Sequence, residues 1–183
     1  EPSLELQAVW PFLEQPHRRE WFQKLLSATV QYTESKRPIV IVDDANNVAL
    51  WIAAVTFALP PGLRTTLSFA TYHHDPYAVP YCITGTTRPG DSTFRCSSDE
   101  YISYFVLNAL DGRVSATPDS PYAAYVCERY FPESYEEKLL DFFLTCHRRL
   151  PPRSQNAARY LDDITQFVLA VREGRVPLSD STS

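Results

Sequence analysis

The chain contains no methionine and only five glycines in 183 residues. Scarce glycine bears on function, because phosphate-cradling loops need glycines that let backbone amides approach the phosphates. Two glycines stand at P-loop separation in Gly85-Thr86-Thr87-Arg88-Pro89-Gly90-Asp91-Ser92. There Asp91 occupies the place of the phosphate-binding lysine, and Pro89 removes an amide donor. The stretch reads as a hairpin turn, and a P-loop nucleotide hydrolase is excluded. The missing methionine and the Glu1-Pro2-Ser3 start lead us to expect an excised segment of something larger, or a chain whose Met is recorded otherwise.

Basic surplus is also missing. Lys and Arg number 17 against 22 Asp and Glu, a net charge of −5. A nucleic-acid binder must neutralise phosphates, so this balance disfavours one. The clusters His17-Arg18-Arg19 and His147-Arg148-Arg149 lie at expected helix ends, where they complement the helix dipole or face water. No apolar run approaches the roughly 18 residues of a membrane helix. The longest, Val48 to Leu59, carries Thr56, and no signal peptide is visible. We expect no membrane partner and a cytoplasmic location. There is no CxxC pair; Cys82, Cys96, Cys127 and Cys146 read as buried thiols of a reducing compartment. A Cys82–Cys96 bridge stays open if their strands pair. Nucleophile signatures are missing too. No GxSxG elbow occurs. Cys146 and His147 are helix neighbours pointing about 100° apart. Cys96 before a helix N-terminus is the remaining thiolate candidate.

What is present is an ordinary globular composition, 44% hydrophobic and 21% charged, with 13% aromatics. From Pro16 to about Thr33, Trp21, Phe22, Leu25, Leu26, Thr29 and Val30 share a helical face, ended by Lys36-Arg37-Pro38. Ile39-Val40-Ile41-Val42 suits a strand buried on both faces. Asp44 or Asn46 can cap the next helix, Asn47 to Leu59, which is apolar nearly all round. Leu67 to Tyr72 is a second strand. Strand, helix, strand in this span predicts a βαβ unit with a parallel pair and a right-handed crossover. Pro80–Thr87 and Thr93–Cys96, around Arg88-Pro89-Gly90-Asp91, predict an added strand pair or edge hairpin. Ser97 and Glu100 form a capping box opening a helix with Ile102, Phe105, Val106 and Ala109 on one side, closed by Asp111-Gly112. Further helices follow: Pro121 to Tyr130; Ser134 to Leu150, with Ser134 and Glu137 as a second capping box and Pro151-Pro152 as its stop; and Ser154 to Arg172, ended by Gly174.

The predicted fold class is α/β: a βαβ unit with a small mixed, mainly parallel sheet, followed by a C-terminal helical portion. Residues 1–15 are expected to be a linker or residual strand from a preceding region. The α/β portion spans 16–112 and the helical portion 113–175. Residues 176–183 form a polar tail or linker, as Leu178-Ser179-Asp180-Ser181-Thr182-Ser183 implies.

Candidate chemistry gathers where the strands end. Asp43 and Asp44 follow the first strand, on the edge where open α/β sheets bind ligands. They either hold Mg²⁺ or divide acid and base roles, or Asp44 caps the helix while Asp43 shapes the turn. His73-His74-Asp75-Pro76 follows the second strand on the same edge. With Asp43 and Asp44 it makes a His/carboxylate set suited to ligand binding or general-base work; otherwise it is an exposed loop. Asp43, His73 and His74 would be catalytic in a metal-dependent or small-ligand hydrolase. A transition metal wants three or four converging ligands, and one suggestive cluster leads us to expect no metal site and no cofactor. Arg64, Ser68, Thr71 and Tyr72 are polar groups interleaved with packing residues, and read as structural. Arg64 needs a carboxylate or carbonyl partner, with Asp43 or Asp44 the nearest candidate.

Five stretches together carry a resemblance: Ile41-Val42-Asp43-Asp44, Ala49-Leu50-Trp51-Ile52, Leu59-Pro60-Pro61-Gly62-Leu63-Arg64, Leu67-Ser68-Phe69-Ala70-Thr71-Tyr72 and Asp75-Pro76. From Ile39 to Thr86 the chain resembles the middle domain of the bacterial GTPase-associated protein 1 family. The resemblance implies a module of a multidomain partner of small GTPases, in systems of bacterial conflict or signalling. It carries over no catalytic residue. The leading expectation is a non-catalytic adaptor or scaffold that contacts a protein partner, a small GTPase or adjacent domains of its parent. Tyr101, Tyr104, Tyr122 and Tyr125 are interface anchors or core residues. The hydrolase is the alternative.

Overall fold

The computed structural model describes residues 6–131, 138–149 and 156–175. Its centre is three short strands: β1 (Ile39–Val42), β3 (Ile83–Thr86) and β4 (Phe105–Asn108), every residue of which is buried. β1 pairs in parallel with β3 on one side and β4 on the other. β2 (Phe69–Ala70) adds to β3 in parallel, and β5 (Arg113–Val114) pairs antiparallel with β4. The order β2-β3-β1-β4-β5 makes a mixed, mostly parallel five-stranded sheet. Helices α1 (Leu6–Leu13), α2 (Arg18–Ser35) and α3 (Ala45–Phe57) lead into and out of β1. Two short helices follow, α4 (Pro61–Arg64) and α5 (Ser98–Ser103). The helical C-terminal region contributes α6 (Pro121–Arg129), α7 (Lys138–Arg149) and α8 (Ala157–Arg172).

Strand alternation splits the sheet into two faces. Ile39, Ile41, Ile83, Phe105 and Leu107 join the large core with α1, α2, α3 and α6. Trp51 of α3 is fully buried there, edge-on to Phe12 at 4.9 Å. Val40, Val42 and Val106 point the other way, under Phe94. Phe94 meets Tyr104 edge-on at 5.7 Å, and Tyr77 lies 5.7 Å from Phe94. Among the described residues, the loop 87–97 and short α5 close that second face.

Several expectations are corrected. Leu6–Leu13 is a helix, with Val9, Phe12 and Leu13 buried, where a linker or residual strand was expected. β1 and β2 are parallel but not adjacent, since β3 lies between them. Residues 80–87 are therefore no edge hairpin: β3 is a central strand, and Thr93–Cys96 forms no strand. The turn itself is present, with the Asp91 N–H bonded to the Arg88 carbonyl. The capping box of Ser97 and Glu100 forms, but its helix ends at Ser103. Phe105–Asn108 leaves it to pair with β1 and β5, so sheet pairing overrides a helical spacing of apolar residues. Ser134, Glu137, Leu150, Pro151, Pro152, Ser154 and the tail from 176 lie outside the described residues.

Gly85 in β3 sets how closely these layers meet. A Cβ there would lie 2.3 Å from the Thr71 carbonyl oxygen and 2.4 Å from Val48 Cγ1. Neither neighbour is a flexible side-chain end, so backbone must move to admit a methyl group. We expect Gly85→Ala to cost about 3 kcal/mol, high in the range for overpacking. Thermal unfolding should then fall by roughly 6–12 °C. A melting temperature equal to that of the parent chain would contradict this packing.

Candidate functional site

Asp43 begins the stretch singled out at the carboxyl end of β1, and its side chain is consumed locally. It is 3% exposed. One carboxylate oxygen accepts from the Asp44 N–H at 2.8 Å and from Asn47 Nδ2 at 3.0 Å. The other accepts from Trp51 Nε1 at 3.0 Å. The sequence reading gave the cap to Asp44 and the turn to Asp43. Asp44 does occupy the N-cap position, but its side chain makes no cap bond. Asp43 reaches across instead, and its bond to Trp51 ties the first two turns of α3 together. Arg18 lies close enough for attraction to Asp43 to partly offset the lowering of its pKa by burial.

The His73-His74-Asp75 segment follows β2, two strands away from Asp43, because β3 intervenes. Two strand spacings separate the backbones by roughly 9.5 Å. His73 Nδ1 sits 3.1 Å from the Asp75 N–H, and the His73 N–H donates to the Gly85 carbonyl at 2.8 Å. His74 Nδ1 lies 3.1 Å from the Asp91 carbonyl. Asp75 caps the 3₁₀ turn Pro76–Ala78 by accepting from the Tyr77 N–H, and also accepts from Thr93 Oγ1 at 2.9 Å. The structure thus joins His73 to Asp75, and pins His74 and Asp75 to the 91–93 loop. No bond connects either histidine with Asp43 or Asp44. Among the described residues, no three His, Cys, Asp or Glu side chains converge as a metal would require.

The polar residues of the Leu59–Tyr72 stretch divide. Arg64 Nε donates to the Leu59 carbonyl at 2.6 Å, and an Nη to the Phe57 carbonyl at 3.2 Å. It closes the end of α3, so its partners are carbonyls; the expected carboxylate, Asp43 or Asp44, is at the opposite end of that helix. Ser68 Oγ accepts from the Cys82 N–H, and the Ser68 carbonyl accepts from the Ile83 N–H, which fixes the register of β2 on β3. The Thr71 carbonyl lies over Gly85 while its side chain is exposed. Tyr72 is 49% exposed, and Phe69 beside it 48%. Sequence reasoning passed over Phe69 as a strand core residue, since an edge strand this short gives no period to read. Tyr122 and Tyr125 are buried.

Burial favours the neutral form of three thiols, those of Cys82, Cys96 and Cys127. All four cysteines are free. Burial pushes the Cys82 thiol up to about 12, and raises Cys127 and Cys96 as well. Cys96 precedes α5, but burial outweighs the Asn108 hydrogen bond that would favour its thiolate. No described helix is long and apolar enough to cross a membrane.

Two expectations follow. Asp43→Asn places an amide donor where three donors converge, so it should cost about 2 kcal/mol in denaturant unfolding. Unchanged stability would return Asp43 to a ligand role. The thiols give a pH dependence. The folded pKa values of Cys82, Cys96 and Cys127 are raised, so their neutral form is favoured in the fold. That stability is complete below the unfolded value of about 8.5 and drains as pH rises toward the folded values. Unfolding free energy should fall above about pH 8.5, by at most about 1.4 kcal/mol per pH unit for each thiol. A curve flat through that region, followed by urea unfolding, would contradict the burial of these groups.

Comparison with known families supplies the remaining context. No curated protein matches the chain. The family model described as GTPase-associated protein 1, middle domain, matches residues 7–110. That span runs from α1 through β4, and so contains both edges of the βαβ region and the Leu59–Tyr72 stretch. It covers more than half the chain, and the protein belongs to the GTPase-associated protein 1 middle-domain family.

Proposed function

We propose that this domain is a non-catalytic adaptor that binds a small GTPase through the open edge of β2. The family description supplies the class of partner. The observation that carries the surface is two half-exposed aromatics, Phe69 in β2 and Tyr72 two residues past its end, where β2 has a strand neighbour on one side only among the described residues. Tyr81, 36% exposed, precedes β3, the strand that β2 pairs with. In a parallel ladder, alternate residues turn their N–H and C=O groups to one neighbour. Ser68 faces β3, so Phe69 directs its backbone groups to the open side. Edge strands with exposed aromatics invite pairing, and proteins ordinarily blunt them. Here the edge combines unpaired backbone with aromatic anchors, the two ingredients of strand addition to a sheet.

The polar groups nearby support the same reading. The Asp43 carboxylate, one carboxylate oxygen of Asp75 and the Nδ1 atoms of His73 and His74 all bond within the domain itself. An adaptor needs a rigid platform, and these bonds stiffen the loops behind the edge.

The test is isothermal titration of the domain with the small GTPase encoded nearest its gene, loaded with GTP or GDP. We expect binding that weakens tenfold or more in Phe69→Ala and Tyr72→Ala, or about 1.4 kcal/mol each. Both side chains are half exposed, so the melting temperature should hold. Titration of the domain alone with GTP or ATP, with or without Mg²⁺, should show nothing tighter than about 100 μM. Binding of the GTPase untouched by both substitutions would overturn the surface. Micromolar nucleotide binding lost in Asp43→Asn would overturn the adaptor.

A further inference from the structure

A cavity of about 230 Å³ opens at the carboxyl edge of the sheet, lined by Arg88, Pro89, Asn108, Leu110 and Asp111. Arg88 comes from the loop after β3, and Asn108, Leu110 and Asp111 from the end of β4 and the turn beyond. The two source strands flank β1. From β1 the chain leaves through α3 toward β2, on one side of the sheet; from β4 it continues to β5, on the other. Strand connections that part in this way leave a crevice outside the carboxyl ends, where open α/β sheets take their ligands.

The floor is held in place. Asn108 is 1% exposed. Its Nδ2 donates to Asp111 Oδ2 at 2.9 Å, and its Oδ1 accepts from the Asp111 N–H at 3.1 Å. These two bonds fix the Asp111 carboxylate, and its Oδ1 makes no hydrogen bond among the described residues. Arg88 is exposed, and its guanidinium makes no hydrogen bond or ion pair among the described residues. One cavity is therefore lined by an anion and a cation that do not close on each other.

We propose that this cavity binds a small zwitterion of the α-amino acid class, with its carboxylate on Arg88 and its ammonium on Asp111. Charge selects the class. A lone anion on the guanidinium would face the Asp111 carboxylate, and a lone cation on Asp111 would face Arg88. A molecule carrying both charges on one carbon offers each end a partner of opposite sign. The planar guanidinium favours a carboxylate by a bidentate pair. Volume narrows it further, because the cavity is smaller than the 300 Å³ or so at which sites for drug-sized ligands begin. The proposal stands apart from the β2 edge, at the other side of β3.

Two-dimensional ¹H–¹⁵N spectra of the whole domain, titrated with L-serine and L-alanine, test it. Shifts should appear at Gly90, Asn108 and Gly112 and saturate with a dissociation constant of about 1 mM or tighter. Arg88→Gln and Asp111→Asn should each weaken binding tenfold or more. Arg88 is exposed, so its variant keeps the parent spectrum elsewhere even if the loss of Asp111 disturbs its turn. Acetate and methylammonium at the same concentrations should leave these amides in place. The proposal is overturned if neither amino acid gives saturable shifts at these residues, if the Arg88→Gln variant responds as the parent does, or if acetate alone reproduces the shifts.

Discussion

A side chain that is missing governs how this domain is assembled. Gly85 lies in the middle of the parallel ladder, where Val48 from α3 and the backbone of Thr71 both press against it. That contact brings the first turn of α3 onto β3 and draws the exit of β2 across the same strand. Asp43 then fixes the start of α3 through Trp51, and Arg64 closes its far end on the carbonyls of Leu59 and Phe57. Helix α3 is thus fastened at its start, along its flank and at its finish. The fully buried Trp51 is the centre of that arrangement.

The same fastening decides what the sheet edge has to offer. A carboxylate that accepts from Asp44, Asn47 and Trp51 has its lone pairs committed, and its role is to hold the helix. The histidine loop is likewise bonded to the 91–93 loop, and Tyr77 from its 3₁₀ turn donates to Glu100, which also accepts from Arg95 and Ser97. These contacts, with short α5, close the second face. What they leave open is the outer side of β2, with Phe69 and Tyr72, and the small charged cavity between the loops after β3 and β4. A rigid platform with an aromatic edge fits a family whose description names association with GTPases.

Much of this was legible in the residues, and the failures have physical causes. The run Ile39–Val42 announced a doubly buried strand, and the face Phe22, Leu25, Leu26, Thr29, Val30 announced α2, because both signals are local. Ser97 and Glu100 announced the start of α5 correctly, yet nothing local marked its end at Ser103. Phe105 and Val106 continue a helical spacing, and only pairing with β1 turns them into strand. Pro80–Thr87 reads as one arm of an added strand pair or edge hairpin, and nothing local marks Thr84, Gly85 and Thr86 as a central strand. Their smallness is what admits α3, a requirement imposed by residues far away in sequence. The same limit applies to the site. Asp43 and His73 both end strands, as expected, but only the strand order puts β3 between them. The neighbourhood of Arg88 and Asp111 carries no sequence signal at all, since it forms when β4 docks beside β1.

Hydrogen exchange of the domain, free and with saturating GTP-loaded GTPase, asks most directly whether the β2 edge is the working surface. The account requires slowed exchange over Phe69–Tyr72 and at Tyr81, with Asp43 and Asp44 unchanged because those two amides are already bonded internally. Slowing confined to Asp43–Asn47, with β2 exchanging as in the free domain, would contradict it.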